Sequence, residues 1–334
     1  MTSNSRDVQP SNGADRLLVV LNEDVKVETI DASSGERLGI IDTPRMPHEA
    51  VVDDASGLAY VCITYQDGYY NKFEKASNYI QVVDLEGFKE VDVIDISPHV
   101  SPHGIALSPD REKLYLTCES DGGELVVLDL PTKKVVGHVS VQAHGPHWMS
   151  VLPDETKAYT ANKEDPFVSV VNLQAMELIT TIPTPSGTEG IVATPDSKRV
   201  FASSQRTPEL YVIDTETDTV EDIIALPERP GALATTPDGS KILITTFNFT
   251  YWEAEPQLTQ GYLQVLDAAT LQPGERIPVG HFPINVISSP DGARAFVSNF
   301  KDNTVSVVQL ETMTSNAWPV GVGPHGIVFV PARS

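Results

Sequence analysis

The sequence predicts an all-β protein, a seven-bladed β-propeller whose ring is closed by the C-terminal strand completing the N-terminal blade. Three observations carry this. One motif recurs seven times at blade-like intervals. Each full copy is followed by short β-branched and aromatic segments separated by turn residues. The two chain ends are complementary fragments of one unit.

The repeats run PHGIALSPD from Pro102, PHWMSVLPD from Pro146, TEGIVATPD from Thr188, PGALATTPD from Pro230 and PINVISSPD from Pro283. PHEAVVDDASG at Pro47 and PHGIVFVP at Pro324 are the degenerate first and last copies. The second residues of the copies fall at positions 48, 103, 147, 189, 231, 284 and 325, so the intervals are 55, 44, 42, 42, 53 and 41 residues. The two long intervals mark insertions. After each inner strand come segments such as KLYLTCES or RVFASSQ, then ELVVLDL or ELYVIDT, then an outer strand such as VVGHVSV. A four-stranded unit of this kind cannot bury both faces alone, so copies stack radially. The C-terminal copy has a single strand, while residues from Arg16 supply three strands and lack an inner one. Joining them removes the exposed edges.

Residues 1–15 are expected to be a disordered polar tail, and residues 16–334 a single propeller domain. The start has no apolar stretch like a signal peptide, and no run is long enough to span a bilayer. Cys62 and Cys118 take neighbouring positions in a repeated strand, which puts them on opposite strand faces; no disulfide is expected between them, and the cytoplasm is the expected location. The formal charge is −23. Such a field repels phosphate backbones and anionic lipid, so neither nucleic acid nor membrane is an expected partner, and a small-molecule substrate is. The oligomeric state stays open. No nucleophile elbow, P-loop, Rossmann glycine run or haem-attachment motif is present, which leaves serine hydrolases and nucleotide enzymes without support.

The pattern P-x-G-(apolar)-x-x-x-P-D, a Y-V-x-N-like strand and then V-x-V-I-D resembles the YVTN-repeat propellers over nearly all of residues 16–331. Those include surface-layer-type repeat proteins and look like lactonase-type propellers. The resemblance implies that the second residue of each copy lies at the entrance of the central channel. In blade order these are His325, His48, His103, His147, Glu189, Gly231 and Ile284.

Four histidines and a glutamate on consecutive blades point to a divalent transition metal, iron, manganese, zinc, nickel or copper, held by His48, His103, His147, His325 and Glu189. Glu189 is alternatively a group that fixes a histidine tautomer, or a base. His99, His144 and His281 precede their motifs in loops on the same face and are candidate acid–base groups. The insertions at 65–79 and 247–262 fall between second and third strands, again on that face, and are rich in aromatics. Tyr65, Tyr69, Tyr70, Trp148, Phe247, Phe249, Tyr251 and Trp252 are the expected substrate-contacting residues, with Arg206 as a rim cation. The expected activity is a metal-dependent oxygenase, lyase or cyclase acting on a small, partly apolar or aromatic molecule. A lactonase-like hydrolase and a non-catalytic ligand- or protein-binding propeller are the alternatives. In the blandest reading these histidines only hydrogen-bond neighbouring loop carbonyls.

Overall fold

The computed structural model describes residues 13–66, 76–119, 122–247 and 259–333. They form seven four-stranded antiparallel sheets. In blade 1 the inner strand is Pro324–Val330, followed outward by Arg16–Leu21, Lys26–Asp31 and Arg37–Asp42. The two chain ends are zipped by antiparallel pairs from Arg16–Val330 to Leu21–Pro324, the latch expected from the fragments. The inner strands of blades 2 to 7 begin at Met46, Pro102, Pro146, Thr188, Pro230 and Pro283. The expected polar tail lies almost wholly outside the described residues. No helix is long and apolar enough to cross a membrane among them.

Stacking explains the burial pattern. Strand Arg16–Leu21 is buried at every position instead of every second one. Leu17, Val19 and Leu21 face blade 7, in a cluster with Phe296 and Val305. Leu18 and Val20 face blade 2, in a cluster with Ala59 and Val61. Side chains alternate as in any strand, but a neighbouring blade covers each face. The same division places an apolar cluster in each blade-to-blade interface. Each fully buried Leu or Val contributes about 1.5–3 kcal/mol. Outer strands are half-exposed, as in Lys134–Ser140.

The thiols of Cys62 and Cys118 are free and buried in one cluster between blades 2 and 3. Opposite strand faces therefore do not separate them. On adjacent blades, opposite faces meet in the same interface. The turn aspartates behave as their sequence suggests: Asp110, Asp196, Asp238 and Asp291 each accept a hydroxyl and a backbone N–H two residues away.

The inner strands crowd at their start. A Cβ on Gly104 would meet the His147 carbonyl oxygen at 2.8 Å, on Gly326 that of His48 at 2.7 Å, and on Gly190 that of Gly231 at 2.3 Å. The glycine of the P-H-G motif thus lets the next blade's backbone approach. Gly190→Ala is expected to lower stability by about 1–3 kcal/mol, read as a fall in the urea midpoint. Gly145→Ala, where nothing lies within 4 Å, is expected to cost less than about 0.5 kcal/mol. Equal effects would contradict this packing.

Candidate metal centre at the channel mouth

The residues that begin the inner strands are aimed by bulges. Pairing with the second strand slips between Pro102 and Ile105, Pro146 and Met149, and Pro47 and Ala50, across His103, His147 and His48. A bulge redirects the side chains within it. Hydroxyls on second strands then fix the backbone. Thr117 Oγ1 accepts from Gly104 N (2.8 Å) and donates to the His147 carbonyl of the next blade (2.5 Å). Ser298 Oγ donates to the His325 carbonyl (2.7 Å) and Thr64 Oγ1 to the Pro102 carbonyl (2.6 Å).

The four imidazoles form a contiguous arc. Ring centroids are 4.2 Å apart for His325–His48, 4.5 Å for His48–His103 and 3.9 Å for His103–His147. His103 and His325 are 6.4 Å apart, so the rings fan around one side of the channel instead of closing a square. All four are buried, His103 to 1% exposure. Their nitrogens are not satisfied by loop carbonyls. Nδ1 and Nε2 of both His48 and His103, and Nδ1 of His147, have no hydrogen-bond partner among the described residues. Burial, the neighbouring imidazoles and Lys163 hold His48, His103 and His147 well below the usual histidine range, so they stay neutral with lone pairs available.

A second tier stands behind the arc, supplied by the residue just after the second strands, Asn22, Glu119, Lys163, Gln205, Phe247 and Phe300, and by Tyr65 at the end of its own, all buried. His325 Nδ1 donates to Glu49 Oε1 (3.0 Å), whose other oxygen accepts from Asn285 Nδ2 (3.0 Å). This carboxylate–imidazole pair fixes a tautomer that leaves Nε2 free to ligate. Tyr65 donates its hydroxyl to Glu119, and its ring stands edge-on to His48 at 5.5 Å. Burial pushes the Glu119 carboxyl up to about 7, against the lowering by Tyr65 and Lys163. Donor atoms of His48, Glu49 and His325 lie within 4.8 Å of one another, as do those of His103, Glu119 and His147. Both groups are able to hold a metal ion.

Lys163 ends the arc, with Nζ 3.4 Å from His147 Nε2 and 3.3 Å from Glu189 Oε1. The structure therefore gives Glu189 an ammonium partner as well as its place beside the arc; its Oε2 is buried without a partner. On blades 6 and 7 the mouth is apolar. Gly231 has room for Phe247, since a Cβ there would meet the phenyl ring at 2.8 Å. Phe247, Phe282 and Phe300 cluster with Ile284. Trp148, one residue deeper than His147, packs against the clusters of the 4–5 and the 6–7 interfaces. Blade 4, which carries Trp148, does not adjoin blades 6 and 7, so the indole reaches across the channel.

The loop histidines lie elsewhere. His144 and His281 are exposed and bound to Asp165 and Asp302, through both backbone N–H and Nδ1. His99 Nδ1 donates to Glu124 (2.7 Å), as does His138 Nδ1 from the outer strand (3.0 Å). In this third His–Glu–His group, whose donor atoms also lie within 4.8 Å of one another, both Nδ1 atoms are satisfied internally, unlike those of His48 and His103. Arg206 is half-exposed, 3.8 Å from Glu164. Tyr69, Tyr70, Phe249, Tyr251 and Trp252 lie outside the described residues. Sequence reading missed Glu49, which stands where three other copies have Gly104, Gly190 and Gly326, and Glu119, which sits one strand over. The repeat register, applied to the end of the second strand, carries the signal for the latter.

Residues 110–249 match the family described as a domain of unknown function, DUF5074. No curated protein matches the chain. Among solved structures, hydrazine synthase of Kuenenia stuttgartiensis is similar, with TM-score 0.69 and 17% identity over 84% of this chain and 88% of that one. A functionally unknown protein from Desulfotomaculum acetoxidans has TM-score 0.72 and 12% identity over 95% and 99% of the two chains. At such identities the likeness is one of fold, and it is a propeller fold.

The buried titrating groups set a pH dependence for the metal-free protein. Below about pH 6.5 the unfolded chain protonates three histidines that the folded one keeps neutral, which lowers stability as pH falls. Glu119 acts oppositely, since between its ordinary value and about 7 the folded state holds the extra proton. The three histidines outnumber the one carboxyl. Unfolding free energy of the metal-free protein should therefore fall as the pH is lowered from about 6 to 5. His48→Phe should make that fall shallower; a flat wild-type profile would contradict the assignment.

Proposed function

We propose that the channel mouth binds a divalent transition-metal ion through His48, His103, His147 and His325, and that the protein is an enzyme acting there on a small, partly apolar molecule. The observation that carries this is the set of buried imidazole nitrogens without partners on adjacent blades. Neutral imidazole with carboxylate suits iron, manganese, zinc, nickel or copper better than calcium or magnesium. His48 and His103, whose four nitrogens have no partner among the described residues, are the central ligands; His147 would join them by exchanging the Lys163 contact at its Nε2 for the ion. We read the repeat as YVTN-type on its motif.

A bound ion would supply Lewis acidity or oxygen activation on the side of the channel that the arc leaves open. The chain's own residues do the rest. Glu49 orients His325. Tyr65 and Glu119 form a phenol–carboxylate pair placed to hold or move a proton beside His48 and His103. Phe247, Phe282 and Phe300 offer an apolar wall opposite, and Trp148 limits the depth of the site. That set serves oxygenase, lyase and cyclase chemistry alike.

Metal analysis of the purified protein tests the proposal. We expect at least about one equivalent of transition metal per chain, lost in the His48→Ala, His103→Ala double variant and bound about 10–100-fold more weakly in Glu49→Gln. A wild-type protein that stays metal-free after incubation with each of the five metals, yet holds a tight partner, would instead support a binding scaffold.

A further inference from the structure

One arginine at this mouth lacks an anion. Arg229 lies in the loop between the outer strand Thr219–Ala225 of blade 5 and the inner strand Pro230–Thr235 of blade 6. Its Nη1 donates to the Gln205 carbonyl (2.8 Å), and its Cζ sits 4.9 Å from the Phe247 ring centroid. The backbone closes the same contact, with Phe247 N donating to the Arg229 carbonyl at 3.2 Å. Nε and Nη2 are buried, and among the described residues no acceptor reaches them.

Those two nitrogens are one edge of the guanidinium. Together they make the side-on fork that matches the two oxygens of a carboxylate. Arginine stays protonated in proteins, so this fork cannot be quieted by losing its charge. Acidic residues are not in short supply, at 46 against 23 basic ones. Arg16 has Glu86, Arg37 has Glu28, Arg199 has Glu221 and Arg276 has Glu228. At Arg229 the protein holds the plane in place, with one nitrogen anchored and the face over Phe247, and leaves the other edge buried without an anion among the described residues.

We infer that Arg229 receives the carboxylate of the ligand, whose aromatic or apolar body packs along Phe247, Phe282 and Phe300. The ligand class is an aromatic or apolar monocarboxylate. A phosphate monoester is disfavoured, because the fork matches two oxygens and a second negative charge adds to the field of a chain of charge −23. This rests on reading the mouth as a substrate site, and it narrows the substrate.

The test is a calorimetric titration of the protein as purified with 3-phenylpropanoate, its neutral amide and phenyl phosphate. The carboxylate should bind at least about 10-fold more tightly than the amide and more tightly than the phosphate. Arg229→Gln should abolish that preference, Arg229→Lys should keep part of it, and Arg206→Gln should leave it intact. Metal content should be unchanged in all three. Equal binding of acid and amide, a preference that survives in Arg229→Gln, stronger binding of the phosphate, or no binding of the acid below about 10 mM would each overturn the inference. A preference dependent on Arg229 in a protein without metal would leave it standing and remove the metal; metal without the preference would do the reverse.

Discussion

A buried polar atom without a partner costs about 1–3 kcal/mol. The arc concentrates five such nitrogens, two each on His48 and His103 and one on His147. Nothing in the packing of a propeller requires them. Seven interfaces of Leu, Val, Ile and aromatic residues already hold the ring, and the latch closes it. What the fold does supply is rigidity: bulges aim the rings, glycines let the backbones close in, and Thr117 and Ser298 clamp the carbonyls of His147 and His325. Stable scaffolding thus carries a local cluster that is unfavourable by itself and is relieved in part when a Lewis acid takes the one lone pair that a neutral ring offers.

The contrast within the molecule sharpens this. His99 and His138 also approach each other, at 4.9 Å between ring centroids, yet both point Nδ1 at Glu124. His144 and His281 likewise each have an aspartate. Where histidine has only a structural task, this chain gives it a carboxylate. At the mouth only His325 is treated so, and there the pairing frees its other nitrogen.

Much of this was legible in the sequence. Repeat register alone placed His325, His48, His103 and His147 on successive blades, because a propeller converts a fixed repeat position into a ring. The same logic, carried to the end of the second strand, reaches Glu119 and Phe247. Glu49 was hidden because it replaces the glycine of the motif and reaches back to the preceding blade. Loop histidines misled because sharing a face with the site does not aim a side chain into it; Asp165 and Asp302 in the neighbouring turns capture His144 and His281. Two cysteines on opposite strand faces met in one cluster for a reason of the same kind, since the blade, and not the strand, decides what a face sees.

The central claim is that the imidazoles converge on a cation. Anomalous diffraction from a crystal of the metal-loaded protein tests this most directly. The account predicts one dominant peak within about 2.0–2.3 Å of nitrogens of His48 and His103, with His325 Nε2 completing the set. Rings turned apart onto waters or backbone oxygens, with the anomalous signal absent or confined to His99, Glu124 and His138, would contradict it.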